Sequence, residues 1–202
     1  MIKSQRAPLC DSSGVRDTAT LSRMQFKTLS NLVLVLVFAS SAWACGKERW
    51  TIKVLRDNPR LQYRGPVTVT QLRAMQRPAD LHERSQAETA AVTVDAVLLA
   101  FKLEDDEDIH LVLGDPNSRV TMIGEIPSPH CGRQSEAKYY TAARNYIAQI
   151  AGPIPAVGRL KRLQRPIAIR LRGVVFFDFL HHQTGVAPNG IELHPVLIVV
   201  RP

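Results

Sequence analysis

Apolar and β-branched residues run without Pro or Gly from Ala91 to Leu103 (AVTVDAVLLAFKL). The run predicts one long strand, long enough to bend across a barrel. A charged turn at residues 104–108 (EDDED) follows, then a strand over 109–113 (IHLVL). The turn chemistry of residues 114–118 (GDPNS) leads to a third strand over 120–126, which Pro127 ends. The period then changes. Ser135 reads as an N-cap with Glu136 in the first turn, and Ala137, Tyr140, Ala143, Ile147 and Ile150 recur at helical spacing up to Gly152. After a loop over 153–166, residues 167–172 alternate apolar with small or basic positions, and Gly173 suits a bulge in a strand continuing to residue 180. Pro188, Asn189 and Gly190 make a turn before a last strand over 191–200.

This order predicts a mainly β domain with one helix (α+β). It matches a five-stranded oligonucleotide/oligosaccharide-binding (OB) β-barrel over residues 89–202, with the helix between strands three and four. Residues 45–88 are polar and read as a partly ordered arm. Their one helical stretch runs over 69–75, with Thr70 near its cap and Pro78 beyond its end.

Residues 1–44 carry a different pattern. Arg23 and Lys27 precede an apolar run over 31–38, and Ala42-Trp43-Ala44 supplies a small-x-small end. That is the layout of a secretory signal peptide, with Met24 as an alternative start to Met1. The run is too short to span a bilayer. The expected location is secreted or periplasmic, at a bacterial envelope. Cleavage after Ala44 exposes Cys45. One reading is a lipid anchor there, although Ala42 stands where such sites usually carry Leu. The other is a disulfide between Cys45 and Cys131 in an oxidising compartment.

Charge adds little. The chain of 202 residues has a formal net charge of +8, and the 21 Lys/Arg and 16 Asp/Glu beyond residue 44 leave +5. That is compatible with an anionic partner, such as a nucleic acid or an acidic glycan, without requiring one. A basic patch is expected from Arg159, Lys161, Arg162, Arg165, Arg170 and Arg172.

Candidate chemistry concentrates at residues 176–197 (FFDFLHHQTGVAPNGIELHPVL). An OB topology brings the loop between strands four and five near the acidic turn between strands one and two. The expected binding face is Asp105, Asp108, His110, Asp178, His181, His182, Asn189, Glu192 and His194. Glu192 and His194 are two apart on one strand and share a face, as do Asp108 and His110. Carboxylates with imidazoles suit a divalent metal ion, with His181, His194 and Asp108 as the expected ligands. No Gly-rich phosphate loop, Gly-x-Ser-x-Gly elbow or His-Glu-x-x-His motif is present.

Residues 105–113 (DDEDIHLVL), residues 122–127 (MIGEIP) with Cys131, and the 176–197 block resemble a family of uncharacterised secreted bacterial proteins, over about 48–197. That family brings no catalytic assignment. A fainter similarity is to the thermonuclease-like branch of OB folds, carried by Asp108, the segment 123–127 and the helix from Ser135. Thr121 stands where those nucleases carry a strand-three arginine, and their catalytic glutamate and second arginine have no counterpart. The similarity therefore implies the fold rather than the activity. The expected function is a secreted OB-like binding domain for a metal ion, glycan or nucleic acid. The alternatives are a divergent metal-dependent hydrolase or nuclease, with His181 or His194 as metal ligand and Glu125 or Glu192 as base, and a structural envelope protein.

Overall fold

The structure, a computed structural model, describes residues 45–202. The leader, with its signal-peptide and start-site expectations, lies outside the described residues.

The chain is mainly β. Its elements are α1 (Trp50–Lys53), β1 (Gln62–Val67), α2 (Val69–Arg73), a 3-10 turn (Gln86–Thr89), β2 (Ala90–Leu103), β3 (Ile109–Gly114), β4 (Thr121–Ile126), α3 (Gln134–Ala151), β5 (Lys161–Phe177) and β6 (Ile191–Val200). The strands form one six-stranded sheet in the order β1-β2-β3-β4-β6-β5, and a further β2–β5 pairing curls it into a ring. The length of β2 makes this closure feasible. Its C-terminal half pairs antiparallel with β3, while most of its length pairs antiparallel with β5. The sequence predicts five strands; the sixth is β1, from the arm, running parallel to the start of β2. The arm also places Leu55, Val69, Leu72 and Leu81 in the buried core.

Local details differ from the sequence reading in three places. The cap of α2 is Thr68, which forms a capping box with Gln71, while Thr70 donates to the Asp115 carboxylate. Ser135 lies inside α3, whose N-cap is Arg133, and its hydroxyl donates to the Glu136 carboxylate. And β5 starts at Lys161, inside the expected loop. Pro166 is tolerated there because residues 163–166 fall within the bulge between Leu98 and Ala100, where no ladder bond is required. Gly173 does sit at a bulge, opposite β6.

Strand alternation sorts the sheet into two faces. Ile109, Leu111 and Leu113 of β3, Met122 and Ile126 of β4, Val175 and Phe177 of β5, and Ile191 and Leu193 of β6 belong to one hydrophobic core with Tyr140, Ala143 and Ile147 of α3. The intervening positions form a second buried layer of polar groups with Val112, Ile123 and Phe176. The N-terminal segment lies over that layer, and a Cys45–Cys131 disulfide with Cα atoms 5.4 Å apart ties it down. The disulfide occupies the sulfur that a lipid anchor at Cys45 would need. Among the described residues, no helix is long and apolar enough to cross a membrane.

The disulfide joins residues 86 apart in sequence. Replacing both cysteines by alanine is expected to lower the unfolding free energy by about 2–5 kcal/mol. A urea midpoint unchanged from wild type contradicts this.

Candidate functional site

The polar layer is built by register. His110 of β3 stands opposite Glu125 of β4, Ile123 of β4 opposite Glu192 of β6, and Glu192 opposite Phe176 of β5. Two-residue periodicity then adds Asp108 beside His110 and His194 beside Glu192. His194 is fully buried. Its Nε2 lies 3.2 Å from Asp108 Oδ2, and its Nδ1 lies 3.3 Å from Glu125 Oε2 and 3.2 Å from Glu192 Oε1. Nε2 makes no hydrogen bond despite that proximity. His110, also fully buried, places Nδ1 3.0 Å from Glu125 Oε1 and 3.4 Å from Glu104 Oε1. Its Nε2 donates to the Thr184 carbonyl at 2.9 Å. Asp108 Oδ1 accepts from the Ser128 amide at 3.0 Å.

Cations from the N-terminal segment cover this layer. Lys53 Nζ lies 2.8 Å from Asp178 Oδ2. Arg49 donates to both oxygens of buried Glu88, at 2.8 and 3.0 Å, and to the Phe177 carbonyl. The Arg49 guanidinium stacks 4.5 Å from the centre of the Phe176 ring, whose edge contacts His194. Tyr140 of α3 donates to the Val54 carbonyl and fixes the end of the segment.

Burial and charge pull these groups apart. Burial alone would lower the His194 pKa, but the carboxylates of Asp108, Glu192 and Glu125 hold it up at about 10. Burial together with the Glu125 charge lifts Glu192 to about 7, and burial with Asp108 and Glu125 lifts Asp106 to about 6. Burial would also raise Glu125, yet His110, His194 and Lys53 bring it down to about 2. Burial opposes the Lys53 charge, but Glu192, Glu125 and Asp178 raise its pKa above the ordinary value. Carboxylates whose pKa values are pushed apart in this way, beside a cleft, mark a candidate functional site.

The sequence-predicted residues divide into three groups. Asp108, His110, Glu192 and His194 come together as expected. Asp178, His181 and Asp105 line an adjoining cleft of about 460 Å³ with Glu48, Lys53, Glu104, Asp106 and Glu125. The remainder are elsewhere. Asn189 is a clamp rather than a binding residue: its amide donates to the Leu72 and Met75 carbonyls at the end of α2, and its oxygen accepts from Ile191. His182 is exposed with φ 56°. The expected ligand trio is also split. His181 Nε2 pairs with Glu48 Oε2 at 2.9 Å and belongs to a Glu48–Asp178–His181 group, whereas His194 and Asp108 group with Glu125. Residues 181 and 182 lie on the loop after β5, outside the buried layer, so strand register does not carry them inward.

The basic patch is partly absorbed. Lys161 donates to the Ala151 carbonyl at the end of α3, Arg170 pairs with Asp95 at 2.6 Å, and Arg172 lies over Tyr63. Arg159, Arg162 and Arg165 are exposed. Sequence reasoning left Lys53 out of the site; Glu104 and Asp106 entered it only as part of the acidic turn, and Glu125 only as a candidate base of the hydrolase alternative. The signal for Glu125 is a single carboxylate inside an apolar strand.

Three groups of the layer and cleft could hold a metal ion: Asp108–Glu125–His194, Glu104–His110–Glu125 and Glu48–Asp178–His181. A fourth, Cys45–His130–Cys131, has both sulfurs committed to the disulfide. Comparison of the chain with protein families, curated proteins and solved structures finds no match.

The raised groups set a pH dependence for the metal-free protein. Glu192, ordinarily near 4.5 and here about 7, stabilises the fold fully below its unfolded pKa and loses that contribution as pH rises through 7. His194, ordinarily near 6.5 and here about 10, does the same as pH rises through 10. The melting temperature of chelator-treated protein is therefore expected to fall from about pH 5 upward, and Glu192→Gln is expected to flatten the decline between about pH 5 and 7. A melting temperature that climbs across that interval in wild type contradicts this.

Proposed function

We propose that this chain is a secreted domain that binds a divalent cation through Asp108, Glu125 and His194, on an OB-type barrel. One observation carries the reading. His194 is fully buried, carboxylates lie within 3.3 Å of both ring nitrogens, and its ring groups with Asp108 and Glu125 closely enough to hold an ion. With its pKa held up at about 10, the metal-free ring carries a hydrogen on each nitrogen and stands as a cation among three carboxylates. A divalent ion would take the place of one of those hydrogens and draw in Asp108 and Glu125, whose ligand atoms and one of the imidazole lie within 4.8 Å of one another. The other ring nitrogen then donates to a neighbouring carboxylate, the usual outer support of a ligating histidine. One imidazole with two carboxylates suits Mn²⁺, Fe²⁺ or Zn²⁺.

The barrel assignment rests on the closed circuit β2-β3-β4-β6-β5-β2 and on α3 between β4 and β5, with β1 as an addition. Secretion to a bacterial periplasm or envelope is supported by the Cys45–Cys131 disulfide, since such bonds persist in oxidising compartments. The resemblance to secreted bacterial proteins agrees with it. The cleft favours a cation over a nucleic acid or an acidic glycan, because Glu48, Glu104, Asp105, Asp106 and Asp178 outnumber Lys47 and Lys53 along its walls.

A second reading, a metal-dependent hydrolase, is favoured by that same cleft, which reaches Glu125 and has room for a small substrate. In this reading Asp108, Glu125 and His194 would hold the ion, which would supply activation of a water molecule, and Lys53 would orient an anionic group.

Purified protein is expected to contain stoichiometric metal, or to melt higher with added Mn²⁺ or Zn²⁺. A hundredfold excess over Kd corresponds to about 2.7 kcal/mol of stabilisation. His194→Ala should abolish the shift, and His181→Ala should retain it. No metal and no shift in wild type contradicts the binding reading. Phosphodiester turnover that disappears in His194→Ala would favour the hydrolase, and binding without turnover the simpler domain.

A further inference from the structure

We infer that the centre holds two cations, with Glu125 as the bridge between them. The inference rests on the cation-binding reading and extends it to a second position, Glu104–His110–Glu125. The two oxygens of Glu125 face different histidines: Oε1 is 3.0 Å from His110 Nδ1 and Oε2 is 3.3 Å from His194 Nδ1. A carboxylate that presents one oxygen to each of two imidazoles has the arrangement of a bridging ligand. Two-metal sites hold their ions about 3.5–4 Å apart, a separation that one carboxylate can span.

The state of His110 follows from its surroundings. Its Nε2 faces the Thr184 carbonyl at 2.9 Å, and a carbonyl only accepts, so Nε2 carries the hydrogen. Nδ1 in turn hydrogen-bonds Glu125 Oε1, and a carboxylate oxygen accepts, so without an ion the ring is an imidazolium whose second hydrogen sits on Nδ1. It points at two further acceptors, Glu125 Oε1 at 3.0 Å and Glu104 Oε1 at 3.4 Å. A cation that displaces that hydrogen meets three ligand atoms, Nδ1 and one oxygen each of Glu125 and Glu104, within 4.8 Å of one another. Glu104 Oε1 is enclosed and makes no hydrogen bond; its ion pair with Lys102 Nζ at 2.8 Å still leaves acceptor capacity. The Thr184 carbonyl acts as the outer support that ligating histidines commonly have.

The ligands of the pair are then His194 and Asp108 on one ion, His110 and Glu104 on the other, and Glu125 on both. Four elements converge here: the turn after β2 carries Glu104 and Asp108, while β3, β4 and β6 carry His110, Glu125 and His194. One imidazole and carboxylates on each ion suit Mn²⁺ or Fe²⁺, and Zn²⁺ as a competitor. Glu104 and Glu125 also line the cleft, so the second ion is the one nearer to solvent and to any incoming anion.

The test is equilibrium binding of Mn²⁺ to the purified protein, with electron paramagnetic resonance on the loaded sample. Two equivalents and an exchange-coupled spectrum are expected. His110→Ala should bind one equivalent and show the six-line signal of an isolated ion. Glu104→Gln keeps size and shape, and should weaken the second equivalent by more than about tenfold while leaving the first. Wild type that binds one uncoupled Mn²⁺, with affinity unchanged in Glu104→Gln, overturns the paired centre but leaves the single-ion reading standing. Wild type that binds no Mn²⁺, Zn²⁺ or Fe²⁺ overturns both.

Discussion

An imidazole buried among carboxylates is the constraint on which the rest of this structure depends. His194 touches Asp108, Glu125 and Glu192 on a sheet face with little contact with water. Burying several charges is costly, and removing one partner of such a set typically costs about 3–5 kcal/mol. The cluster therefore needs compensating positive charge, from protons, from Lys53 or from a metal ion. Protons and a metal ion compete for the same lone pairs, so ion affinity should rise with pH as Glu192 and His194 lose their protons.

The architecture serves this layer in two ways. The curled sheet brings β3, β4 and β6 side by side, so residues far apart in sequence share one face at fixed spacing. The N-terminal segment then supplies cover and counter-charge. Arg49 binds Glu88 and stacks on Phe176, Lys53 meets Asp178, and the disulfide holds the start of the segment to the chain after β4. The same segment forms one wall of the cleft through Gly46, Lys47 and Glu48, so any ligand reaching Glu125 passes beside it.

Much of this was legible in the sequence because strand periodicity is simple. The long run of β2, the helix α3 and the strands β3, β4 and β6 follow from alternation and turn residues, and the pairs Asp108/His110 and Glu192/His194 follow from a two-residue repeat. Glu125 was not legible as a centre because its importance comes from register. Only the β3–β4 ladder sets it opposite His110. Lys53 and Arg49 were hidden more deeply, since they reach the cluster from a four-residue helix without usable periodicity. The fold divides the richest-looking stretch. His181 and His182 are exposed, and Asn189 holds α2 in place. Density of polar residues marks a loop, whereas a site also needs the geometry that strands impose.

The most direct measurement is anomalous diffraction from crystals soaked in Mn²⁺ or Zn²⁺, with data collected at the absorption edge of the metal. The account predicts a peak within bonding distance of His194, Asp108 and Glu125. Metal bound only at surface groups such as Glu48 and His181, or no anomalous peak in the buried layer, would contradict it.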